Sequence, residues 1–220
     1  MGMSHPYQDV MTLTKICGLS TPATLDAALA GGASHVGLVF FPPSPRNVDF
    51  DQAAGLAARV PSHVRIVGVF VDPDDALVEG AVRAGRLDAI QLHGTAPDRV
   101  AQVRRSSGRE TWAAVAVKTR ADLDAAHGFA GAADRILYDA KTPPGAALPG
   151  GMGLRFDWAL LQGFRHTLPW ALSGGLDPAN VAEAIARTGA PLVDVSSGVE
   201  SAPGVKDVDK IGAFLKAVAA

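Results

Sequence analysis

Residues 35–41 read His-Val-Gly-Leu-Val-Phe-Phe, a run that stays apolar after its first residue. A strand with one solvent-facing side alternates polar and apolar residues, so a continuous apolar run indicates burial on both faces, as in a parallel sheet. The segments on either side, 22–30 and 51–59, are rich in alanine and have a helical composition. Residues 35–41 therefore predict a buried parallel strand between two helices.

The same alternation of a short apolar run and a helical stretch repeats along the chain. Strands are predicted at 13–16, 35–41, 64–71, 89–92, 112–117, 136–138, 170–172 and 192–195. Helices are predicted at 22–30, 51–59, 75–84, 97–105, 120–127, 156–162, 178–187 and 208–219. Eight such units of about 27 residues predict an α/β fold, a closed (β/α)8 TIM barrel near its lower size limit.

The competing architecture is an open, doubly wound sheet, which usually carries its glycine-rich turn after the first strand. In this chain the glycines cluster after the sixth, seventh and eighth strands, which favours the barrel. No linker divides the sequence, so we expect residues 11–220 to form a single barrel domain. Residues 1–10 are polar and are expected to be a short N-terminal extension.

The composition excludes several classes of protein. Hydrophobic residues make up 48% of the chain and charged residues 19%, which is typical of a globular domain. A net charge of −2 without a basic cluster argues against nucleic-acid binding, and no apolar run approaches membrane-spanning length. The single cysteine cannot form an intramolecular disulfide, and one cysteine alone argues against a zinc site. These features predict a cytoplasmic protein without a metal or cofactor. Its expected partner is a small molecule.

Three glycine-rich loops follow the last three strands. They are Gly150-Gly151-Met152-Gly153, Ser173-Gly174-Gly175 and Ser196-Ser197-Gly198. Glycine lets backbone N–H groups approach phosphate oxygens, serine adds a hydroxyl donor, and a following helix adds partial positive charge. Such loops can also be simple tight turns, but three of them on one barrel face favour a phosphorylated ligand.

An acid and a base are predicted at the ends of two separate strands. Cys17 follows Lys15 at the end of the first strand, and Asp139 ends the sixth. Lys15 lies on the same side of its strand as Cys17, where it would lower the thiol pKa, or it is a structural ion-pair partner. Cys17 is alternatively a small buried hydrophobe, and Asp139 alternatively caps a loop or pairs with Lys141. As a general acid Asp139 would need a raised pKa, which burial supplies.

Three further side chains are candidates for ligand binding. Arg46 lies on a loop stiffened by three prolines after the second strand, where it can grip a carboxylate or be a surface arginine. Gln91 and His93 end the fourth strand on one side, and His93 is either a second base or a structural histidine. The remaining histidines show no metal-ligand spacing and are expected on the surface or in loops: His5, His35, His63, His127 and His166.

Together these segments resemble the phosphoribosylanthranilate isomerase family of tryptophan biosynthesis. The resemblance runs in order from Lys15-Ile16-Cys17-Gly18 through Gln91-Leu92-His93-Gly94 and Leu137-Tyr138-Asp139 to residues 193–200, and so covers nearly the whole chain after residue 10. It implies an Amadori rearrangement of N-(5-phosphoribosyl)anthranilate. By similarity, Cys17 removes the proton from the sugar C2, Asp139 protonates the ring oxygen, and Arg46 holds the anthranilate carboxylate. The glycine and serine loops would hold the phosphate.

Two positions depart from the family pattern, and two other functions compete. Met152 stands where a threonine or serine is common, which removes a hydroxyl contact but leaves the backbone cradle. Tyr138 replaces an aliphatic residue and is expected to reshape the pocket beside Asp139 slightly. One rival is an isomerase of the histidine-pathway aminoaldose, which usually has an aspartate in place of Cys17. The other is a non-catalytic phosphate-binding barrel, and in every case we expect a monomer or a homodimer.

Overall fold

The computed structural model describes residues 11–143, 145–146 and 150–220. Eight parallel strands form a closed barrel in sequence order, and the first strand pairs with the eighth. The predicted TIM barrel is confirmed, while the proposed extension at 1–10 lies outside the described residues. The strands are β1 Leu13–Cys17, β2 His35–Val39, β3 Arg65–Val71, β4 Ala89–His93, β5 Glu110–Val117, β6 Arg135–Ala140, β7 Trp170–Leu172 and β8 Leu192–Val195.

Helices cover the outside of the barrel. They are α1 Pro22–Ala30, α2 Phe50–Ala57, α3 Asp75–Gly85, α4 Pro97–Ser107, α5 Arg120–Asp124, α6 Val181–Thr188 and α7 Val208–Val218. Local sequence sets several of their ends: Asp49 and Gln52 form a capping box that begins α2, and Gly108 ends α4 with a left-handed φ of 62°. In the described part of the chain, no helix is long and apolar enough to span a membrane.

The predicted helix at 156–162 is wrong. Between β6 and β7, the residues that the structure describes contain one helical turn, a 3-10 helix at Trp158–Leu161 that begins at the Asp157 cap. Gln162 ends this turn by adopting an extended conformation with a ψ of 124°, and Gly163 follows with a left-handed φ of 65°. The following helix also differs from its prediction, because Asp177 accepts hydrogen bonds from the backbone of Ala179 and Asn180, and α6 starts only at Val181 instead of at residue 178.

Apolar side chains fill the middle of the barrel. They come from six strands and are all fully buried: Val67, Ala89, Trp112, Leu137, Ala171 and Leu192. His35 lies inside the barrel against the Trp112 ring, with 5.5 Å between ring centroids, so the prediction of a surface or loop position for His35 is wrong. Its place in an inward-facing position of β2 explains the difference, and burial lowers its pKa to about 3. His63 and His127 are exposed as predicted.

A short antiparallel hairpin follows β8 and completes the carboxyl-end face of the barrel. Its strands are β9 Glu200–Ala202 and β10 Val205–Lys206, joined by a turn in which Gly204 has a φ of 80°. Two of its charged residues, Glu200 and Lys206, are buried, which is unusual for a surface hairpin. The hairpin therefore carries side chains that face into the protein next to the strand ends.

Candidate active site

A pocket opens at the carboxyl ends of the barrel strands, the face on which TIM barrels carry their active sites. All the predicted site residues line it except Gly198. Gly198 instead packs against the backbone of Leu176, whose carbonyl a Cβ would overlap. Residues predicted from separate strands and loops are thus brought to one place.

Cys17 ends β1, and its side chain is buried at the base of the pocket. On the neighbouring strand, a Cβ at Gly37 would lie only 2.9 Å from Sγ, so the glycine leaves room for the thiol. Burial is the main influence on the thiol, and it raises the pKa of Cys17 even though the Lys15 ammonium opposes the shift. Lys15 does lower the pKa of the thiol, as expected, but burial raises it by more, so the expectation of a lowered thiol pKa is wrong.

Lys15 is completely buried inside the barrel and pairs with Asp194 on β8, with 2.9 Å between Nζ and Oδ1. Burial disfavours the ammonium, but Asp194 and Cys17 outweigh that cost and raise the pKa of Lys15. The Ser173 hydroxyl donates to the other carboxylate oxygen of Asp194 at 3.2 Å. The ion-pair interpretation of Lys15 is confirmed, and the pair lies next to Cys17.

Asp139 is the next-to-last residue of β6, and its carboxyl group is buried beside Gly150 and Gly174. Burial, reinforced by the negative charge of Asp194, raises the pKa of Asp139 to about 7. The backbone N–H of Ala140 donates to Oδ1 at 2.8 Å and opposes the shift. The predicted alternative of a pair with Lys141 is wrong, because Lys141 bonds to Asp122 outside the pocket. Such a carboxyl group can give up a proton near neutral pH.

Arg46 reaches the pocket from the loop after β2 and is buried rather than on the surface. Its Nε and Nη2 donate to the two carboxylate oxygens of Glu200 at 2.7 and 2.8 Å. Nη2 also donates to the carbonyl of Gly151 at 3.1 Å. The bidentate face of Arg46 is thus paired with a carboxylate of the protein itself, while its predicted grip on a ligand carboxylate stays a prediction.

Gln91 and His93 lie on the same side of β4, with 2.9 Å between Nε2 of the amide and Nε2 of the ring. Burial, with a smaller contribution from Lys15, lowers the pKa of His93 to about 4, so its ring is neutral at pH 7. Among the described residues, the Gln91 Oε1 atom is buried without a hydrogen-bond partner. The lowered pKa makes the neutral His93 ring a weak base, and the pair gives the pocket an uncharged polar surface.

The three glycine-rich loops border one side of the pocket. Gly174 has a φ of 90°, and a Cβ there would lie 2.7 Å from the backbone nitrogen of Ala140, so only glycine fits between this loop and β6. Two of the predicted hydroxyl donors already have acceptors within the protein: Ser173 donates to Asp194 and Ser196 to the carbonyl of Cys17. Ser197 and the exposed backbone of these loops are the remaining donors facing the pocket.

The sequence of this chain is similar to those of known proteins over almost its whole length. Residues 14–217 match the model of the family described as N-(5'-phosphoribosyl)anthranilate (PRA) isomerase. The chain belongs to the phosphoribosylanthranilate isomerase family. Curated members from Zymomonas mobilis subsp. pomaceae and Rhodospirillum centenum are 56% and 55% identical to it over 207 and 208 residues. The alignments cover 93% and 94% of this chain, and 97% of each relative.

Solved members of the phosphoribosylanthranilate isomerase family share the fold. The Thermotoga maritima enzyme superposes with a TM-score of 0.83 at 34% identity, covering 94% of this chain and 98% of its own. A phosphoribosylanthranilate isomerase that is 33% identical to this chain, with a TM-score of 0.81, has been solved in complex with reduced 1-(o-carboxyphenylamino)-1-deoxyribulose 5-phosphate. The Thermotoga maritima enzyme is described as dimeric, and monomers generated from it have also been solved.

The two departures from the family pattern lie in different environments. Met152 is half exposed at the pocket mouth. Tyr138 points out of the barrel, packs against Trp170 and has its hydroxyl 3.2 Å from Nδ1 of His166. The expectation that Tyr138 reshapes the pocket is wrong, because neighbouring residues on a strand face opposite sides.

Sequence reasoning missed three charged residues at the site: Asp194, Glu200 and Lys206. Asp194 carried a readable signal, since a carboxylate in the middle of an apolar barrel strand must have a buried partner. Glu200 and Lys206 gave none, because charged residues in a hairpin usually face water. In the described part of the chain, no group of three or more His, Cys, Asp or Glu side chains is placed to hold a metal ion.

Proposed function

We propose that this chain catalyses the Amadori rearrangement of N-(5-phosphoribosyl)anthranilate to 1-(2-carboxyphenylamino)-1-deoxyribulose 5-phosphate, a step of tryptophan biosynthesis. One observation carries the proposal: Cys17 and Asp139, from strands far apart in sequence, line the same pocket in a chain that belongs to this isomerase family. The reaction moves protons between carbon and oxygen and needs one acid and one base.

The first step opens the ribose ring. Asp139 donates its proton to the ring oxygen while the anilino nitrogen forms a double bond to C1 as the C1–O bond breaks. A carboxyl group whose pKa is raised to about 7 retains enough proton near neutral pH for this role. The product of the step is a protonated Schiff base with a free sugar hydroxyl.

The second step removes the proton from C2. The positive nitrogen of the Schiff base acidifies that carbon, and the Cys17 thiolate accepts the proton. The electron pair of the C2–H bond moves toward the nitrogen and gives an enolamine. The enolamine tautomerises to the ketose as C1 gains a proton and the C2 hydroxyl loses one. Net return of one proton from the Cys17 thiol to the Asp139 carboxylate, by exchange with water, restores the starting forms of both groups. Cys17 forms no covalent bond to the substrate in this scheme.

Two anchors would hold the sugar between the acid and the base. The glycine-rich loops supply backbone N–H groups for the phosphate at one end, assisted by Ser197. Arg46, which bonds to Gly151 of the loop after β6, supplies its remaining Nη1 donors for the anthranilate carboxylate. Fixing both ends lowers the entropic cost of aligning C2 and the ring oxygen with Cys17 and Asp139.

Both rival functions are less well supported. An isomerase of the histidine-pathway aminoaldose usually has an aspartate as its base, whereas this chain has Cys17. A non-catalytic binding barrel would not need an acid with a raised pKa facing a thiol in its pocket. We further propose that the protein is cytoplasmic and acts as a monomer or a homodimer on this small phosphorylated substrate.

The test is the loss of fluorescence of freshly prepared N-(5-phosphoribosyl)anthranilate when the purified protein is added. We expect the signal to disappear at a rate proportional to protein concentration. A signal that persists, where an established isomerase removes it from the same preparation, would overturn the proposed function. The same assay with the histidine-pathway aminoaldose separates the first rival.

A further inference from the structure

A chain of buried charges connects the carboxylate anchor to the loop after β8. Arg46 donates two hydrogen bonds to Glu200, and Glu200 Oε1 accepts a further one from Lys206 Nζ at 2.7 Å. Lys206 Nζ also donates to the carbonyl and hydroxyl oxygens of Ser196 at 2.8 and 3.1 Å. The Ser196 hydroxyl in turn donates to the carbonyl of Cys17. The hairpin β9–β10 supplies both central members of this chain.

The pair between Arg46 and Glu200 determines which edge of the Arg46 guanidinium is left to bind a ligand. Glu200 occupies Nε and one hydrogen of Nη2, and the carbonyl of Gly151 accepts the other Nη2 bond. Nη1 is the remaining donor group, and Arg46 lines the pocket. A guanidinium clamped along one edge keeps its planar fork oriented, so less entropy is lost when it binds a carboxylate.

The ion pair with Glu200 alone would cancel the positive charge of Arg46. Arg46 and Glu200 together carry no net charge, and a neutral pair attracts an anion weakly. Lys206 uses three donors toward Glu200 and Ser196, which matches the three N–H groups of an ammonium. With Lys206 protonated, the three buried side chains carry one net positive charge.

We propose that Glu200 and Lys206 act together as positioning residues for Arg46: Glu200 orients the guanidinium, and Lys206 restores the positive charge that Glu200 removes. Neither residue lines the pocket, so both act through Arg46 and not on the substrate. The inference rests on the proposed function, because it takes the anthranilate carboxylate as the group that Arg46 binds.

The experiment compares Lys206→Met with wild type in steady-state turnover of N-(5-phosphoribosyl)anthranilate. Removing the positive charge should raise KM about tenfold, the size of one charge-assisted interaction, and leave kcat within about twofold. Reduced 1-(o-carboxyphenylamino)-1-deoxyribulose 5-phosphate should bind about tenfold more weakly, while its analogue without the carboxyl group should change by less than about threefold. Equal weakening of both analogues, or an unchanged KM, would overturn the proposal.

A double variant separates charge balance from a purely structural role. Glu200→Gln/Lys206→Met returns the net charge to that of wild type, and the glutamine oxygen can still accept one bond from Arg46. We expect this double variant to reverse at least half of the increase in KM, measured on a logarithmic scale. A KM that stays as high as in Lys206→Met, or rises further, would mean that Lys206 matters only as a structural contact. If Lys206→Met does not fold, the double variant alone decides, since the proposal requires it to bind the carboxylated analogue within about threefold of wild type.

Lys210→Met is the matched control. Lys210 is an exposed lysine near the same hairpin and bonds to the main-chain carbonyl of Glu200, not to its carboxylate. Its removal should leave KM and both analogue affinities unchanged, and a loss equal to that of Lys206→Met would contradict the assignment to Lys206. If wild type itself does not turn over the substrate, the proposed function fails, and that result is distinct from every outcome above.

Discussion

At the scale of single residues, burial shifts both the acid and the base of this site toward their protonated forms. Burial raises the pKa of Cys17 above its ordinary value and that of Asp139 to about 7. The active form needs a thiolate and a protonated carboxyl at the same time. Because Asp139 loses its proton at a lower pH than Cys17, the active form is a minority species at every pH. Its population is the fraction of Cys17 that is thiolate multiplied by the fraction of Asp139 that is protonated.

The pH profile of kcat/KM follows from this order of ionisation. Below about pH 7 the acid is protonated and the thiolate fraction rises tenfold per pH unit, so the rate should rise. Above about pH 7 the loss of protonated Asp139 cancels the gain in thiolate, and we expect a plateau until Cys17 itself ionises. In Asp139→Asn, the remaining activity should rise through pH 7 without a break. A wild-type rate that falls above pH 7 would show that Cys17 ionises before Asp139.

The buried Asp139 carboxyl should also reduce stability at alkaline pH. Its pKa is higher in the folded chain than in the unfolded chain, so its favourable contribution is present below about pH 4 and is lost as pH rises through 7. At pH 8, Asp139→Asn should therefore increase the free energy of unfolding by about 2–4 kcal/mol, and the gain should disappear near pH 4. Urea unfolding of wild type and Asp139→Asn at pH 4 and pH 8 measures this difference. A variant less stable than wild type at pH 8 would contradict the assigned pKa.

At the scale of elements, the two sides of strand β6 have separate roles. Asp139 faces the pocket, while the preceding Tyr138 faces the outer layer and packs among Phe164, His166 and Trp170. Three members of this aromatic group, Phe164, His166 and Trp170, follow the 3-10 turn Trp158–Leu161 in the chain. The chemistry and the packing of one strand can therefore be changed independently.

Tyr138→Phe tests this separation. The substitution removes the hydroxyl contact to His166 but keeps the ring packing, so we expect a loss of about 0.5–1.5 kcal/mol in the free energy of unfolding. Activity should remain within about twofold of wild type, because the ring lies outside the barrel. Chemical denaturation and the fluorescence assay measure the two effects. A large fall in kcat with unchanged stability would place Tyr138 in the pocket after all.

At the scale of the whole molecule, the repeated unit was readable from sequence because buried parallel strands leave continuous apolar runs. The eight strands and the pocket residues on strand ends, such as Cys17, Gln91 and Asp139, follow from that pattern. The helix at 156–162 could not be predicted correctly, because composition does not reveal that the backbone turns extended at Gln162 and left-handed at Gly163. Glu200 and Lys206 were also out of reach, since their burial depends on the partner Arg46, 154 residues from Glu200.

The central claim is that the closed barrel brings a thiol base and a carboxylic acid together for proton transfer on a phosphorylated aminosugar. The most direct measurement is turnover of N-(5-phosphoribosyl)anthranilate by wild type, Cys17→Ser and Asp139→Asn. Each variant should lose at least about a hundredfold in kcat, the usual size of one acid or base contribution, while still binding reduced 1-(o-carboxyphenylamino)-1-deoxyribulose 5-phosphate. An inactive wild type, or near-full turnover by either variant, would contradict the claim.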